Sequence, residues 1–328
     1  MSISAVVPVS NGRELLGRLL DSLEAQTAPP AEVLVVDNGS TDGAPELAAA
    51  RGARVIPMGR NAGFAAAVNR GIQSARSPWI AVLNSDVELA PDYLAQLVES
   101  GGWFATGKIL SAADPSRIDG TIDLVSRGAT AWRAGSGRAD APEVSQAQPI
   151  WSAPWTAAWF RAGLFERVGL LDERFESYLE DVDFGLRCAG HALTGEYIPT
   201  AVAWHRGSAT LGRWHPETVR RIARNQVFLV ARHYPRRLLW KWAWPILVGQ
   251  LLWGGVALRH GAALAWLKGK AEGLRRFASV RRETPPAAGS ALEPLLRSHE
   301  RALRAAQSAG GFDLYWRMYF LLTRGGAK

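Results

Sequence analysis

The sequence has one cysteine, Cys188, among its 328 residues. A single cysteine cannot form a disulfide within the chain, and this composition fits a reducing compartment. The N-terminus lacks a basic segment followed by a long apolar stretch, so no signal peptide is predicted. Two nucleotide-binding signatures are also missing. Without Gly-x-Gly-x-x-Gly a dinucleotide-dependent dehydrogenase is disfavoured, and without Gly-x-x-x-x-Gly-Lys-Ser/Thr a P-loop NTPase is disfavoured.

Acidic residues are scarce in one part of the chain. Residues 232–282 contain eleven Lys or Arg but one acid, Glu272, so their net charge is +10, whereas the whole chain carries +8. The same segment holds five of the fourteen tryptophans. Nucleic acid and anionic lipid are both candidate partners for such a segment. No recognised nucleic-acid-binding motif accompanies it, which argues against nucleic acid.

The first hundred residues alternate between strand-like and helix-like patterns. Apolar runs that end at polar turns predict strands over residues 6–9, 33–36, 54–56 and 79–83. Apolar residues at helical spacing predict helices over residues 13–26, from 45 to 50, and over 65–75. This order predicts an α/β fold with a mostly parallel sheet flanked by helices. Ligands of such sheets bind beyond the C-terminal ends of the strands.

Polar residues follow three of the predicted strands. They are Ser10-Asn11, Asp37-Asn38 and Asn84-Ser85-Asp86. Asp37 can cap a turn, or its carboxylate can accept a hydrogen bond from a nucleobase N–H. Asp86 can form an Asx turn, or it can hold a divalent cation against a diphosphate, because hard cations prefer oxygen ligands. The residues alone leave these alternatives open.

An acidic cluster lies further along the chain. Glu180, Asp181 and Asp183 begin a helix predicted over residues 180–189, where acids suit the helix dipole. Crowded negative charge also raises proton affinity, which suits a general base. His205 follows another predicted strand. A lone histidine is more often structural, but beside a carboxylate-bound cation it can act as a ligand.

The order of these motifs resembles the family 2 glycosyltransferases, and within them the bacterial rhamnosyltransferase-like branch. The resemblance covers roughly residues 3–235. It rests on Val7-Pro8-Val9-Ser10-Asn11, Val36-Asp37-Asn38-Gly39-Ser40-Thr41-Asp42, the segment 61–71, Leu83-Asn84-Ser85-Asp86, Glu180-Asp181-Val182-Asp183-Phe184 and His205. It implies a GT-A fold and an inverting transfer of a sugar, with rhamnose as one candidate, from a nucleoside-diphosphate donor to an acceptor hydroxyl.

The resemblance also implies roles for individual residues. Asp37 would bind the base, Asp86 and His205 would bind a divalent cation (Mg²⁺ or Mn²⁺), and Asp181, beside Glu180, would be the catalytic base. The nucleotide-sugar site would comprise Val9, Ser10, Asp37, Asn61, Asn84, Ser85 and Asp86. The first acid of the family's Asp-x-Asp motif is Asn84 here. A neutral amide binds a cation more weakly than a carboxylate does.

Two other functional classes are weaker alternatives. A sugar nucleotidyltransferase would use a related α/β sheet, but such enzymes carry a Gly-rich, basic signature after the first strand. The corresponding segment, Ser10-Asn11-Gly12-Arg13-Glu14, has one basic residue. A catalytically inactive binding module is the third class, and the presence of Asp86, Asp181 and His205 argues against it.

Two domains are predicted, a catalytic domain over residues 1–235 and a basic, helical region over 236–328. Leu238 to Leu258 has about the length that spans a bilayer, but Lys241, Pro245 and Gln250 interrupt it. A buried helix pair is one alternative. An interfacial helix is the other, with tryptophans 240, 242, 244 and 253 at headgroup depth, followed by a basic amphipathic helix over 261–282.

The interfacial alternative predicts peripheral or monotopic association with an anionic membrane surface at the cytoplasmic face. A membrane location suits an acceptor that is a polyprenyl-linked glycan, and the resemblance points to the same class of acceptor. The oligomeric state is not predicted. Between the two halves of the catalytic domain, residues 133–149 are rich in Gly, Ala, Ser, Pro and Gln and predict a mobile loop.

Overall fold

The computed structural model describes residues 2–141, 145–207, 212, 214–284, 291–311 and 313–323. The chain divides into two compact units. The first comprises Met1–Ile122 and Gly135–Ala209, and the second comprises Asp123–Ala134 and Thr210–Lys328.

The N-terminal half of the first unit is a parallel sheet, as the sequence predicts. Its strands lie in the order β4-β1-β2-β3 and all pair in parallel. The strands are β1 (Ile3–Val9), β2 (Glu32–Asp37), β3 (Arg54–Pro57) and β4 (Trp79–Leu83). The helices between them are α1 (Arg13–Glu24), α2 (Ala44–Ala50) and α3 (Phe64–Ser74). These strands and helices confirm the predicted elements of the first hundred residues.

Successive residues of β1 belong to two different cores. Val7 packs in the cluster that includes Leu16 and Leu19 of α1, whereas Val6 packs in the cluster that includes Ala67 and Val68 of α3. Side chains alternate between the faces of a strand, so both faces of this sheet are covered by helices. The strand ends, which no helix covers in this way, are where polar residues collect.

The C-terminal half of the sheet is mixed rather than parallel. From β4 the order continues β11-β6-β12-β10, with β5 on β12 and β7 on β6. These strands are β5 (Val87–Leu89), β6 (Phe104–Ser111), β7 (Ile118–Gly120), β10 (Gln148–Ile150), β11 (Ala157–Arg161) and β12 (Gly195–His205). The helices of this half are α4 (Tyr93–Val98), α5 (Ala162–Val168) and α6 (Glu180–Gly190).

Strand β12 continues through a proline. The register of its pairing with β6 shifts between Ile198 and Val202, and Pro199 lies in that interval. Proline lacks the N–H that a ladder needs, so an irregularity there is expected. The strand still continues to His205, which therefore lies opposite Ser111 of β6 and Val87 of β5.

The segment predicted as a mobile loop is tied to the sheet in its described part. The Nζ of Lys108 donates to both carboxylate oxygens of Asp140, at 2.9 and 2.8 Å, and to Ser145 Oγ at 2.8 Å. Lys108 is buried on β6, and a buried ammonium needs such partners. Residues 142–144 lie outside the described part of the chain.

The second unit combines a β-hairpin with six described helices. The hairpin strands are β8 (Asp123–Val125) and β9 (Ala131–Arg133). The helices are α7 (Pro216–His233), α8 (Arg236–Lys241), α9 (Ala243–Arg259), α10 (Ala263–Glu283), α11 (Leu292–Gly310) and α12 (Leu314–Thr323). Helix α10 lies close against α7, since a Cβ at Gly269 would come within 2.2 Å of the Arg220 carbonyl oxygen.

The two units do not follow the boundary predicted after residue 235. Helix α7 packs with α10, and Arg220 and Arg224 of α7 form ion pairs with Glu272 of α10. The compact second unit therefore includes α7 and a hairpin from the middle of the sequence. The predicted extent of the catalytic domain stays a prediction.

The apolar segment 238–258 is divided between α8 and α9. The division falls at Trp242, which is buried and packs edge-on against Tyr234 at 5.6 Å. The predicted headgroup position of Trp242 is therefore wrong, whereas Trp240 and Trp244 are exposed. Pro245 does not break α9 because it lies in the first turn, where no intrahelical N–H bond is lost. Within the described residues, no helix is long and apolar enough to cross a membrane.

Candidate active site at the strand ends

The loops after β1 and β2 are joined to each other by hydrogen bonds. The Asn38 N–H donates to the Val9 carbonyl at 2.7 Å, and the Thr41 N–H donates to Asn11 Oδ1 at 2.8 Å. The N–H groups of Gly12 and Arg13 donate to Asp42 Oδ2 at 2.6 and 2.8 Å. Desolvation would raise the pKa of Asp42, but these backbone donors outweigh it and lower that pKa below its ordinary value. The loops form one rigid edge for a ligand.

Asp37 is buried at the end of β2. Its Oδ1 accepts a hydrogen bond from the Ser40 N–H at 2.8 Å, which is the turn-capping role that the sequence allowed. Within the described residues, its other oxygen, Oδ2, has no hydrogen-bond partner. The Asp37 carboxylate can therefore cap the turn through Oδ1 and still accept a hydrogen bond from a ligand through Oδ2.

Ser10 and Asn61 are hydrogen-bonded directly to each other, and Asn38 supports Asn61. Asn61 Nδ2 donates to Ser10 Oγ at 3.1 Å, and Asn38 Nδ2 donates to Asn61 Oδ1 at 3.2 Å. Asn38 Oδ1 accepts from the Ala62 N–H at 2.8 Å. Asn38 was not among the predicted site residues, although its place beside Asp37 could have indicated it. Its side chain fixes the loop that carries Asn61, and Asn61 in turn contacts Ser10.

The loop before α6 lies against the start of α3. A Cβ at Gly63, where φ is +91°, would come within 2.9 Å of the Glu176 carbonyl oxygen. The Ala65 N–H donates to the same oxygen at 2.9 Å. Beyond this contact, Tyr178 and Leu179 both have positive φ. Such conformations cost about 1–3 kcal/mol per residue and cluster at functional sites. No sequence signal marks this strain.

The acidic cluster at the start of α6 is buried. Asp183 Oδ2 accepts from Arg187 Nε at 3.0 Å, so this acid belongs to an ion pair. Asp181 Oδ1 accepts from the Val182 N–H at 2.8 Å, and Ser152 Oγ donates to the Asp181 carbonyl at 3.2 Å. The helix approaches Ser152 closely because Gly185 has no side chain there. Of the acids, Asp183 is structural, while Glu180 and Asp181 remain the predicted catalytic pair.

Asp86 and His205 lie together, as the metal prediction requires. His205 Nε2 is 3.2 Å from Asp86 Oδ1, and the Arg206 N–H donates to the Asp86 carbonyl at 3.1 Å. The pairing of β12 with β5 creates this contact, since His205 is opposite Val87. Asn84 and Ser85 belong to the same turn, and the Asn84 N–H donates to the Thr156 carbonyl at 2.9 Å.

Asp119 is a polar neighbour that the sequence analysis missed. Its Oδ2 is 2.9 Å from His205 Nδ1. Asp119 lies on β7, and β7 and β12 both pair with β6. Desolvation would lower the pKa of His205, but hydrogen bonds to Asp119 and Asp86, together with their charges, raise it to about 9. Nothing around residue 119 in the sequence indicates this contact, which depends on strand order.

The residues present fit a divalent cation held in part by the donor substrate. Within the described residues, no group of three His, Cys, Asp or Glu side chains is arranged to hold a metal ion. The two ring nitrogens of His205 face different carboxylates, so only Nε2 and Asp86 can share one ion. Asn84 Oδ1 is buried and accepts no hydrogen bond from the described residues. Magnesium sites commonly use one or two carboxylates, with substrate phosphates completing the shell.

The site elements have counterparts in known proteins. The family model for glycosyl transferase family 2 matches residues 4–104, which include Asp37, Asn61 and Asp86. The N-acetylglucosaminyl-diphospho-decaprenol L-rhamnosyltransferase of Mycobacterium tuberculosis is 30% identical over 237 residues, which are 60% of this chain and 74% of that protein. A PGL/p-HBAD biosynthesis glycosyltransferase of Mycobacterium bovis is 29% identical over 207 residues, 61% of this chain and 75% of that protein.

A solved structure extends the likeness to the fold. GalNAc-T7 was crystallised with UDP, GalNAc and Mn²⁺. Its structure aligns with 87% of this chain and with 58% of the GalNAc-T7 chain, at a TM-score of 0.59 and 13% sequence identity. At that identity the match shows the GT-A fold alone. The 30% sequence identity to the mycobacterial rhamnosyltransferase extends over most of that protein's length and shows the family of this chain. This chain belongs to the family 2 glycosyltransferases.

Proposed function

We propose that this glycosyltransferase moves a sugar from a nucleoside-diphosphate donor to a hydroxyl of a polyprenyl-linked glycan, with inversion at the anomeric carbon. The observation that carries the proposal is the contact between Asp86 and His205 at 3.2 Å, and Asn84, two residues before Asp86, has a buried Oδ1 that accepts no hydrogen bond from the described residues. This arrangement suits a cation that bridges protein and diphosphate. The family membership disfavours a sugar nucleotidyltransferase.

The donor would bind across the strand ends. Asp37 Oδ2 would accept a hydrogen bond from the base, and the Ser10–Asn61 pair would line the nucleoside part of the site, with Val9 at the end of β1 below it. Asp86 and His205 Nε2 would hold a Mg²⁺ or Mn²⁺ ion, with Asn84 and Ser85 completing that turn. When bound, the cation would neutralise charge on the leaving diphosphate.

Asp181 would act as the base. Its carboxylate removes the proton from the acceptor hydroxyl, and the hydroxyl oxygen attacks the anomeric carbon from the face opposite the diphosphate. The bond to the diphosphate oxygen breaks, and its electron pair leaves with that oxygen. Glu180 beside it adds negative charge that favours proton uptake. Burial at the start of α6 and the hydrogen bond from the Val182 N–H hold the Asp181 carboxylate in a defined position, which supports the assignment.

Asp119 would position the metal ligand. A histidine that binds a metal usually donates its second ring N–H to a carboxylate or carbonyl, which fixes the ring orientation. Asp119 Oδ2 stands at that position for Nδ1 of His205, at 2.9 Å. This arrangement leaves Nε2 directed toward Asp86.

The nature of the acceptor is supported by the relatives. The rhamnosyltransferase of M. tuberculosis is named for an N-acetylglucosaminyl-diphospho-decaprenol acceptor and for L-rhamnose. A polyprenyl-linked acceptor stays in a bilayer, so we place this enzyme at the cytoplasmic face of the membrane as a peripheral or monotopic protein. Rhamnose is the sugar we would test first.

A donor screen tests the chemistry. Purified protein is incubated with UDP-, dTDP- and GDP-sugars, with Mg²⁺ or Mn²⁺, and the nucleotide product is identified. Free nucleoside diphosphate is the expected product, whereas pyrophosphate would indicate nucleotidyl transfer. With a polyprenyl-diphosphate-linked N-acetylglucosamine acceptor, proton NMR of the product reports the anomeric configuration. Retained configuration, or full activity in excess chelator, contradicts the proposal.

A further inference from the structure

The large apolar side chains that are exposed to solvent are not spread evenly over this protein. Among the described residues there are eleven, and all eleven lie in the second unit. Single exposed leucines are normal on protein surfaces, but a concentration of them indicates an interaction surface. These residues are Trp240, Trp244, Leu247, Leu251, Leu258, Leu264, Leu267, Leu274, Leu314, Leu321 and Leu322.

The exposed residues of α9 form one stripe. Trp244, Leu247, Leu251 and Leu258 follow each other at intervals of three, four and seven residues, which places them on one side of a helix. No charged residue occurs between Lys241 and Arg259. Trp240, in the last turn of α8, is 85% exposed. A helix of a globular domain normally turns its apolar stripe to the core, but this one turns a second apolar stripe outward.

Helix α12 extends the same surface. It packs against α9, and Trp244 Nε1 donates to the Leu322 carbonyl at 2.9 Å. Leu321 is 70% exposed beside this contact. We call Trp240, Trp244, Leu247, Leu251, Leu258 and Leu321 the apolar face.

Helix α10, which also packs against α9, mixes exposed leucines with exposed cations. Its outward residues include Leu264, Leu267 and Leu274 and, one residue after the last two, Lys268 and Arg275. The one acid between residues 236 and 282, Glu272, accepts from Arg220 and Arg224 of α7. The negative charge of Glu272 is therefore neutralised by ion pairs within the second unit. The outward surface of α10 is basic and partly apolar.

We infer that the apolar face inserts into the interface of an anionic phospholipid bilayer, with the α10 cations on lipid phosphates. The inference deepens the proposed membrane location and rests on it. Tryptophan and leucine at headgroup depth with Lys and Arg above them is the pattern of interfacial helices. Basic residues near an anionic surface are attracted to the lipid phosphates.

A second copy of the chain fits this surface less well. A two-fold interface places the same patch on both partners, so Lys268 and Arg275 would face positive charge again. Between residues 236 and 282 no acid other than Glu272 is present to pair with them. Like charges brought together across an interface repel each other and weaken association. A bilayer offers both the anionic groups and the hydrocarbon that this surface needs.

Vesicle sedimentation of the full-length protein tests the inference. The vesicles contain phosphatidylcholine alone or with phosphatidylglycerol, and the variant is Leu247→Glu/Leu251→Glu. The matched control is Ala302→Glu/Ala305→Glu, which adds the same charge at exposed positions of α11. We expect wild type and control to pellet with anionic vesicles, and the variant to lose at least about tenfold in partitioning. Lys268→Gln/Arg275→Gln should lower anionic binding and weaken its salt dependence.

Three readouts separate the outcomes. Circular dichroism shows whether each variant is folded, and Leu321→Glu on α12 gives an independent disruption of the apolar face. Unchanged vesicle binding by folded Leu247→Glu/Leu251→Glu overturns the inference. Light scattering that shows a wild-type dimer, a monomeric variant and no vesicle binding by either also overturns it, in favour of a second copy. Hydrolysis of soluble donor should be equal in all variants. Vesicle binding without any donor hydrolysis would instead reject the proposed function and leave the apolar face standing.

Discussion

At the level of single residues, the candidate metal site combines His205 with the turn that carries Asp86. Asn84 replaces an acid in that turn, so Asp86 supplies its one negative charge. The second charge near the site comes from Asp119, through the imidazole of His205. A carboxylate behind a histidine raises the basicity of the ligand and holds its ring. If a cation binds to His205, Asp119 would offset part of the negative charge that is missing at Asn84.

We expect Asp119→Ala to weaken Mn²⁺ binding in the presence of nucleoside diphosphate by about 10–100-fold, the usual cost of losing such a partner. Asp119→Asn should lie between Ala and wild type, because the amide oxygen can still accept from Nδ1 but carries no charge. Electron paramagnetic resonance measures the free Mn²⁺, and ¹⁵N chemical shifts report the His205 ring.

Asp114→Ala is the control for Asp119, since Asp114 is an exposed acid of the preceding turn that pairs with Arg117 at 3.0 Å. It should bind Mn²⁺ like wild type. If Asp119→Ala also binds Mn²⁺ like wild type and leaves the His205 shifts in place, Asp119 has no positioning role.

Asp181→Asn should remove the base and leave the donor site. Proton transfer by a positioned side chain contributes about 10²–10⁴-fold, so transfer should fall by at least about a hundredfold. Calorimetry should show nearly unchanged binding of the nucleoside diphosphate with Mg²⁺. A variant that keeps more than about a tenth of the wild-type rate would assign the base to another residue.

At the scale of elements, loops and helices are placed by close backbone approaches. The loop that carries Tyr178 and Leu179 in strained conformations is held against α3, where Gly63 leaves room for the Glu176 backbone. A strained backbone conformation of this kind persists only when the contacts around it hold it in place. Gly63 is therefore part of what orients Glu180 and Asp181.

Gly63→Ala should displace the loop before α6 and lower sugar transfer more than donor binding. The added Cβ would come within 2.9 Å of Glu176 backbone atoms, which cannot move without disturbing α6. Gly59→Ala is the control, because Gly59 also has positive φ, at +73°, but has no atom within 4 Å of the added Cβ. Kinetics of both variants, with melting temperatures, give the comparison. Equal losses in the two variants would mean that backbone strain alone is responsible.

The side-chain amino group of Lys270 joins helix α10 to α7 and α9. In its ammonium form, Lys270 Nζ donates to the Ala223 carbonyl at 2.9 Å, to Gln226 Oε1 at 2.8 Å and to Gln250. Burial lowers its pKa to about 7 from an ordinary value of 10.5. Between pH 7 and pH 10.5, Lys270 is protonated in the unfolded chain but has released its proton in the folded protein. The free energy of unfolding therefore rises as pH increases through this window.

Lys270→Met should remove that pH dependence, because methionine keeps an apolar stem of similar length without a titrating group. Urea unfolding followed by circular dichroism between pH 7 and pH 10 measures the slope for the second unit. Lys268→Met, at an exposed position of the same helix, should keep the wild-type slope. A wild-type stability that falls with pH in this range would contradict the assignment.

At the scale of the whole molecule, the second unit is assembled from distant parts of the sequence. The hairpin of β8 and β9 is completed by C-terminal helices. Arg127 pairs with Glu300 at 2.7 Å, and the Gly128 N–H donates to the Tyr319 hydroxyl at 3.0 Å. The Gly128 carbonyl accepts from Gln250 Nε2 at 2.6 Å. Buried polar groups of the hairpin thus depend on residues near the end of the chain.

A fragment that ends at residue 235 should consequently be less stable than the full chain. It would remove the partners of the Arg127 guanidinium and of the Gly128 backbone, and it would expose to water the surfaces of the hairpin and of α7 that the C-terminal helices cover. We expect a lower melting temperature and aggregation of the fragment in a thermal scan with light scattering. A soluble fragment with the melting temperature of the full chain would show that residues 1–235 fold independently.

The sequence by itself determined the β-α order of the first hundred residues, because apolar periodicity and polar turn residues act locally. It also determined which strand ends carry Asp37 and Asp86, and that the acids of α6 begin a helix. Tertiary structure alone decided the mixed half of the sheet. The short strands β5, β7 and β10 have no strong local pattern, and long-range pairing places them. That pairing brings Asp119 to His205 and His205 to Asp86. It also decided that Trp242 is buried while Trp240 and Trp244 face solvent, since the composition of an apolar segment does not say which of its sides will be covered.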